Sequence, residues 1–151
     1  MLLLVSLLGG ALRFAVLDVK TLWLDEVFSL WMARHPLPDL MAWLVRIDHH
    51  PPLFYLFLHG WIGLFGESAG ALRSLSALTS TLAIPLYGFG ARKLVGARVS
   101  IVATLLLAIS PFQVRYAQEA RMYGVLMLAS AAAFVAFASL LSTEVRTRQW
   151  R

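Results

Sequence analysis

The sequence predicts an all-α membrane protein, a polytopic bundle of about four transmembrane helices with further helices lying along the membrane surface. Three observations predict it. Of 151 residues 60% are hydrophobic and 14% charged, and the mean hydropathy is +0.75, far above an ordinary soluble domain. The long apolar runs show no strand-like alternation, which leaves helices to satisfy the backbone inside lipid. The basic residues sit in short clusters between those runs, so the net charge of +5 reflects loop bias rather than a nucleic-acid surface. The chain has no cysteine, which excludes a disulfide framework, a thiolate metal site and a cysteine nucleophile.

Residues 1–17 form the first span, short for a bilayer that needs roughly 20 apolar residues. Its one charge, Arg13, is placed near an end where a long side chain reaches the headgroups. A signal peptide is the rival reading, but no basic segment precedes "LLLVSLL" and no small-residue cleavage site follows. Residues 18–70 are too mixed to span and form an external loop. Within it Val27 to Ala33 reads as a helix begun by Asp25 and Glu26. Pro38 and Asp39 start a second, whose Leu40, Trp43, Leu44 and Ile47 stripe suits the membrane surface. The apolar run "PPLFYLFLHGWIGLFG" is either a short span or a surface helix. Residues 71–91, 95–114 and 122–141 are the remaining spans, the first carrying Pro85, expected to kink it. Residues 142–151 are the tail.

Charge decides the doubtful segment. Arg92, Lys93 and Arg98 lie between two spans, and Arg146, Arg148 and Arg151 follow the last, so both clusters belong in the cytoplasm. If residues 51–66 lie in the interface, a cytoplasmic N-terminus satisfies both clusters. The loop with Asp25 and Glu26 then shares the external face with the loop holding Glu119 and Arg121.

These residues are the candidates for chemistry, each with a plainer alternative. Asp25 and Glu26 stand where acids favour a helix start; ionisable groups at membrane depth also tend to be functional. Glu119 precedes the last span and fits a cap or a salt bridge to Arg115 or Arg121. The guanidinium of Arg121 suits carboxylate or phosphate. Asp48, His49 and His50 precede Pro51 and Pro52 in "DHHPPL"; adjacent histidines share no helix face, so the cluster is a turn or a cation or phosphate site. His59 reads as a satisfied interface histidine, and Tyr123, with other aromatics, as part of the interfacial belt. Phosphate-loop, dinucleotide, zinc-protease and hydrolase-elbow motifs do not occur.

The order of motifs, "LWLDE", "HHPPLFYLFLHGWIGLFGES", "ALRSLSAL", "ARKLVGARVSIVATLLLAISPF" and "YAQEARMYG", resembles the N-terminal module of the C-type glycosyltransferase superfamily (GT-C). The likeness is to bacterial members related to protein O-mannosyltransferases and aminoarabinose–lipid A transferases. The resemblance implies transfer of a sugar from a polyprenyl-phosphate-linked donor to a glycan, lipid or protein acceptor. The reaction is implied on the external face of the bacterial cytoplasmic (inner) membrane. It implies Asp25, Glu26 and Glu119 as catalytic positions, and Arg121, Asp48, His49, His50 and Tyr123 as substrate-binding ones. A divalent metal, Mg or Mn, is compatible with it, with Asp25 and Glu119 as candidate ligands; some relatives have an acid where this chain has His49. Relatives carry more spans, so the resemblance also implies a fragment that is inactive by itself. The competing readings are a transporter or flippase module and a structural membrane subunit.

Overall fold

The computed structural model describes residues 1–47 and 50–148. Every regular element among them is helical: α1 (Leu2–Phe14), α2 (Leu24–Arg34), α3 (Leu37–Arg46), α4 (Leu53–Phe65), α5 (Ala69–Ile109), α6 (Pro111–Ala117) and α7 (Tyr123–Arg148). The all-α membrane bundle expected from composition is the fold observed. Within α7, Tyr123–Ser142 is long and apolar enough to cross a membrane, and α5 with α6 passes the same test as one bent pair. Helices α1 and α4 have 13 residues each, about 20 Å of rise against a hydrocarbon core of about 30 Å.

Helix α5 is two limbs folded back on each other. Gly96 has φ 78° and ψ 173°, a left-handed backbone that a side chain would strain, and the chain reverses there. The Ser100 hydroxyl donates to the Gly88 carbonyl at 2.7 Å, two residues that a straight helix would hold about 18 Å apart. Pro85 lies inside α5 among residues with helical dihedrals, Gly96 being the break in dihedral angles within the element. Freed backbone groups beside a proline are tolerated in bundles where neighbours satisfy them.

Helix α1 packs on α5, and α5 on α7. Tyr87 and Phe134 stack at 5.3 Å, and Lys93 donates to the Ser139 hydroxyl at 2.6 Å. At Gly9 an added Cβ would lie 3.1 Å from the Ala108 Cβ and 3.2 Å from an Arg13 nitrogen, so the missing side chain lets α1 settle against α5. Between apolar helices in lipid such close approach, rather than hydrophobic burial, favours association.

The larger core lies under the first long connection. Leu30, Met32 and Ala33 of α2, Leu40 and Leu44 of α3, Phe54, Tyr55 and Leu58 of α4, and Leu72 and Leu75 of α5 form one buried cluster with Ala120 and Val125. The predicted α3 stripe accordingly faces inward at Leu40 and Leu44, while Ile47, just past the helix end, is exposed. Trp61 pins α4 to α5 by donating to the Ala71 carbonyl at 2.9 Å and the Ser74 hydroxyl at 3.0 Å. His59 is satisfied as expected, its Nδ1 2.8 Å from the Ala33 carbonyl. Arg34 grips Glu67 with both sides of its guanidinium, tying the end of α2 to the turn before α5.

Three expectations are corrected. Helix α2 begins at Leu24, so Asp25 and Glu26 lie in its first turn rather than ahead of it. The helix expected over 95–114 stops at Ile109, and the chain turns by 54° into α6, because Pro111 has no N–H to continue the ladder. Arg13 is fully buried instead of reaching the headgroups: the α5 hairpin closes over it and supplies carbonyl partners.

Candidate functional site

The first turn of α2 faces the connection between α6 and α7, and their carboxylates part company there. Successive residues on a helix are about 100° apart, so Glu26 points inward and Asp25 outward.

Glu26 has no solvent exposure. One carboxylate oxygen accepts from Arg73 Nε at 2.8 Å and from the Ala120 N–H at 2.8 Å. The other accepts from Arg73 Nη2 at 2.7 Å and reaches back to the Trp23 N–H at 3.3 Å, half of a capping box at the start of α2. Arg73 spends its remaining donors on the carbonyls of Leu17 (2.7 Å), Lys20 (2.8 Å) and Thr21 (3.1 Å). All five guanidinium N–H groups are used, and no buried polar side-chain atom among the described residues is unpartnered. Burial by itself would raise the Glu26 pKa; the hydrogen bonds from Arg73 and Ala120 outweigh it and hold the carboxyl below its ordinary value. The network also fixes the link after α1, where Val16 adopts φ 59°, a left-handed conformation that costs a β-branched residue about 1–3 kcal/mol.

Asp25 retains 42% of its side-chain exposure and lies 3.7 Å from Arg121, which is 12% exposed. The sequence-predicted acids of the two loops are thus brought together: Glu26 through Ala120, and Asp25 through Arg121. Glu119 is 18% exposed and 3.8 Å from Arg115. Burial raises its pKa; Arg115 and Arg121 pull the other way, and Glu26 adds to the rise. Two neighbouring carboxyls are therefore pushed apart, one held anionic and one biased toward its protonated form.

A cleft of about 440 Å³ opens beside them, lined among others by Lys20, Trp23, Glu26, Arg73, Arg115 and Glu119. Asp25 and Arg121 stand outside its lining. Tyr123 belongs to a different cleft, with its ring 4.6 Å from Tyr116 and Phe112 beyond. Ser76 donates to the Arg121 carbonyl at 2.9 Å, fixing the start of α7 against α5. His50 is exposed before the first turn of α4. Asp48 and His49 lie outside the described residues. Among the described residues no three His, Asp or Glu side chains gather as a metal set.

The residue that sequence reasoning missed is Arg73. Its signal was a lone arginine one turn inside an apolar span, in "ALRSLSAL", where a charge is expensive without a partner. Lys20 and Gln118, both lining the cleft, carried no signal of their own.

Comparison with known proteins identifies the chain at the level of family. The profile of dolichyl-phosphate-mannose-protein mannosyltransferases matches residues 49–151, more than half of the chain, which takes in Arg73, Arg115, Glu119 and Arg121 and stops short of Asp25 and Glu26. No curated protein and no solved structure matches the chain. A helical membrane bundle that gathers acidic and basic groups from two connections, and whose sequence fits that profile, belongs to the dolichyl-phosphate-mannose-protein mannosyltransferase family, a family of membrane glycosyltransferases.

Proposed function

We propose that the chain carries the acid side of a transferase that moves a sugar from a polyprenyl-phosphate carrier to an acceptor hydroxyl at the external face of a bacterial cytoplasmic membrane. The observation that carries this reading is the meeting of the two connections, with the half-exposed Asp25 beside Arg121 and a cleft lined by Lys20, Arg73 and Arg115 next to them. In the reaction the acceptor oxygen attacks the anomeric carbon and gives its proton to the Asp25 carboxylate. The bond from that carbon to the phosphate oxygen breaks, and the electron pair leaves with the polyprenyl phosphate. Lys20 and Arg115, at the cleft, stabilise the departing anion. Arg121 faces Asp25 and orients it, a different role from the phosphate contact expected of it by sequence. Glu26 and Arg73 position both connections.

The sidedness has physical support. Arg73 and Lys93 are 20 residues apart on the first limb of α5, about 30 Å at helical rise, which matches the hydrocarbon thickness. The basic residues about Gly96 therefore lie a bilayer's depth from the cleft, as cytoplasmic clusters should.

The reading is tested with the complete protein in membranes, a labelled polyprenyl-phosphate sugar and an acceptor. Label on the acceptor with release of polyprenyl phosphate is expected; transfer only from a soluble nucleotide sugar overturns it. In the same assay Lys20→Ala and Arg115→Ala are each expected to raise the donor KM about tenfold, the loss of one charge-assisted hydrogen bond of about 1.5 kcal/mol, while the acceptor KM holds.

Glu119 adds a pH signature. Because burial raises its pKa, Glu119 ionises at higher pH than an ordinary glutamate, and an active form with Glu119 anionic gives kcat/KM an acid limb shifted in the same direction. Glu119→Gln is expected to remove the limb; a profile unchanged by the substitution takes Glu119 out of the chemistry.

A further inference from the structure

Among the described residues Arg13 is a fully buried charge that the proposed chemistry leaves unused. Its side chain has no exposure, and no acidic group among the described residues pairs with it. A guanidinium in such a place is costly unless its donors are met. They are met by helix backbone and one hydroxyl. Nε donates to Ser80 Oγ at 2.9 Å, and Nη1 to the carbonyls of Gly9 at 3.0 Å and Ala108 at 2.8 Å; Nη2 lies 3.5 Å from the Leu107 carbonyl.

Leu107 and Ala108 end the second limb of α5, where helix carbonyls lack intrahelical partners and the dipole is negative. Proline sharpens the need. In a continuous helix the Leu107 carbonyl would accept from residue 111, and Pro111 has no N–H. The chain bends by 54° at that place. Arg13 thus brings charge and donors to the gap that Pro111 opens, and Gly9 makes room for it.

The other end of α6 is tied to the same helix. Gln118 Nε2 donates to the carbonyls of Leu12 at 2.8 Å and Ala15 at 2.9 Å, at the end of α1. Helix α6 has seven residues, too few to be stable alone, so its direction is set by these anchors. It carries Arg115 to the cleft and leads into Glu119.

We infer that Arg13 is a positioning residue: it serves the carbonyls of Leu107 and Ala108 where α5 ends ahead of Pro111, holds the bend between α5 and α6, and thereby sets where Arg115 and Glu119 stand. Its consequence for activity rests on the transfer reaction proposed above; its structural part does not.

The test uses the complete protein in nanodiscs, with Arg13→Met, Arg13→Lys and the double variant Arg13→Met/Pro111→Ala, which returns an N–H to position 111. Three quantities are read: thermal stability, the distance between spin labels at Leu4 and Phe112, both exposed, and kcat against KM. Arg13→Met is expected to lower thermal stability, broaden the distance distribution and reduce kcat about a hundredfold through misplaced groups, with the donor KM little changed. Arg13→Lys, which keeps the charge and three donors, is expected to fall between. The double variant is expected to regain stability but not kcat, since the bend relaxes toward a straight helix. An Arg13→Met protein with unaltered stability and label distance overturns the inference, as does a double variant no more stable than Arg13→Met. If Arg13→Met fails to accumulate, accumulation of the double variant supports the inference and its failure overturns it. If the wild-type protein transfers no sugar, the first two readouts still decide the structural part.

Discussion

Asp25→Asn in the complete protein is expected to reduce sugar transfer by about 10²- to 10⁴-fold, the usual contribution of a general base, with membrane insertion and thermal stability unchanged. The second half follows from its surroundings. The Asp25 side chain is 42% exposed and its contact with Arg121, itself 12% exposed, is 3.7 Å long, beyond hydrogen-bond distance, and asparagine leaves an amide oxygen facing the guanidinium. Asparagine keeps the size and the place in the first turn of α2. The substitution therefore separates chemistry from folding, which Glu26 does not allow. Asp25→Glu should retain part of the activity, because a base can still form although its reach changes. Full transfer by Asp25→Asn, measured with donor and acceptor saturating, would remove Asp25 from the mechanism.

Glu26→Gln and Arg73→Met are expected to act the other way, through folding. Side-chain exposure is 0% for Glu26 and 6% for Arg73, and removing one member of a buried pair leaves an uncompensated charge at a cost of about 3–5 kcal/mol. Exchanging both for apolar residues does not recover it here. The Ala120 N–H and the carbonyls of Leu17, Lys20 and Thr21 would lose their partners together, at about 1–3 kcal/mol for each group left buried. A double-mutant cycle on thermal stability checks this: additive losses, or a stable apolar pair, would contradict it. The pH sign also follows. With its folded pKa depressed, Glu26 contributes stability at pH above the unfolded carboxyl value of about 4.3, and the contribution is lost as pH falls through the folded value. Glu26→Gln should abolish that acid-side loss, seen by following thermal stability as the pH is lowered.

The stripe of α3 and the apolar runs were legible in the sequence because local periodicity reports which face will be buried, and Leu40 and Leu44 are buried. The pairing of the two acidic connections was legible through charge bias, a rule about which side of a membrane a segment occupies. Neither rule says which way one side chain turns. Asp25 and Glu26 are chemically similar neighbours, and only the approach of Ala120 and Arg73 separates a buried anchor from an exposed acid. Arg13 was misplaced for the same reason: its partners Ser80, Leu107 and Ala108 are far along the chain, and a charge near the end of a span is ordinarily free to reach water. The proline at 111 was visible, but its effect was not. A missing N–H ends a helix locally, whereas the direction taken afterwards depends on what binds the carbonyls it leaves open.

By itself the sequence determined the helical class, the membrane as solvent, and the family to which the chain belongs, since these follow from composition, periodicity and the order of motifs along one chain. Tertiary structure decided which of the two carboxylates keeps solvent exposure, which is buried, and which arginines are anchors. Those roles depend on hydrogen bonds closed between residues about 47 to 95 positions apart, and a donor's partner in space is not written in its neighbours in sequence.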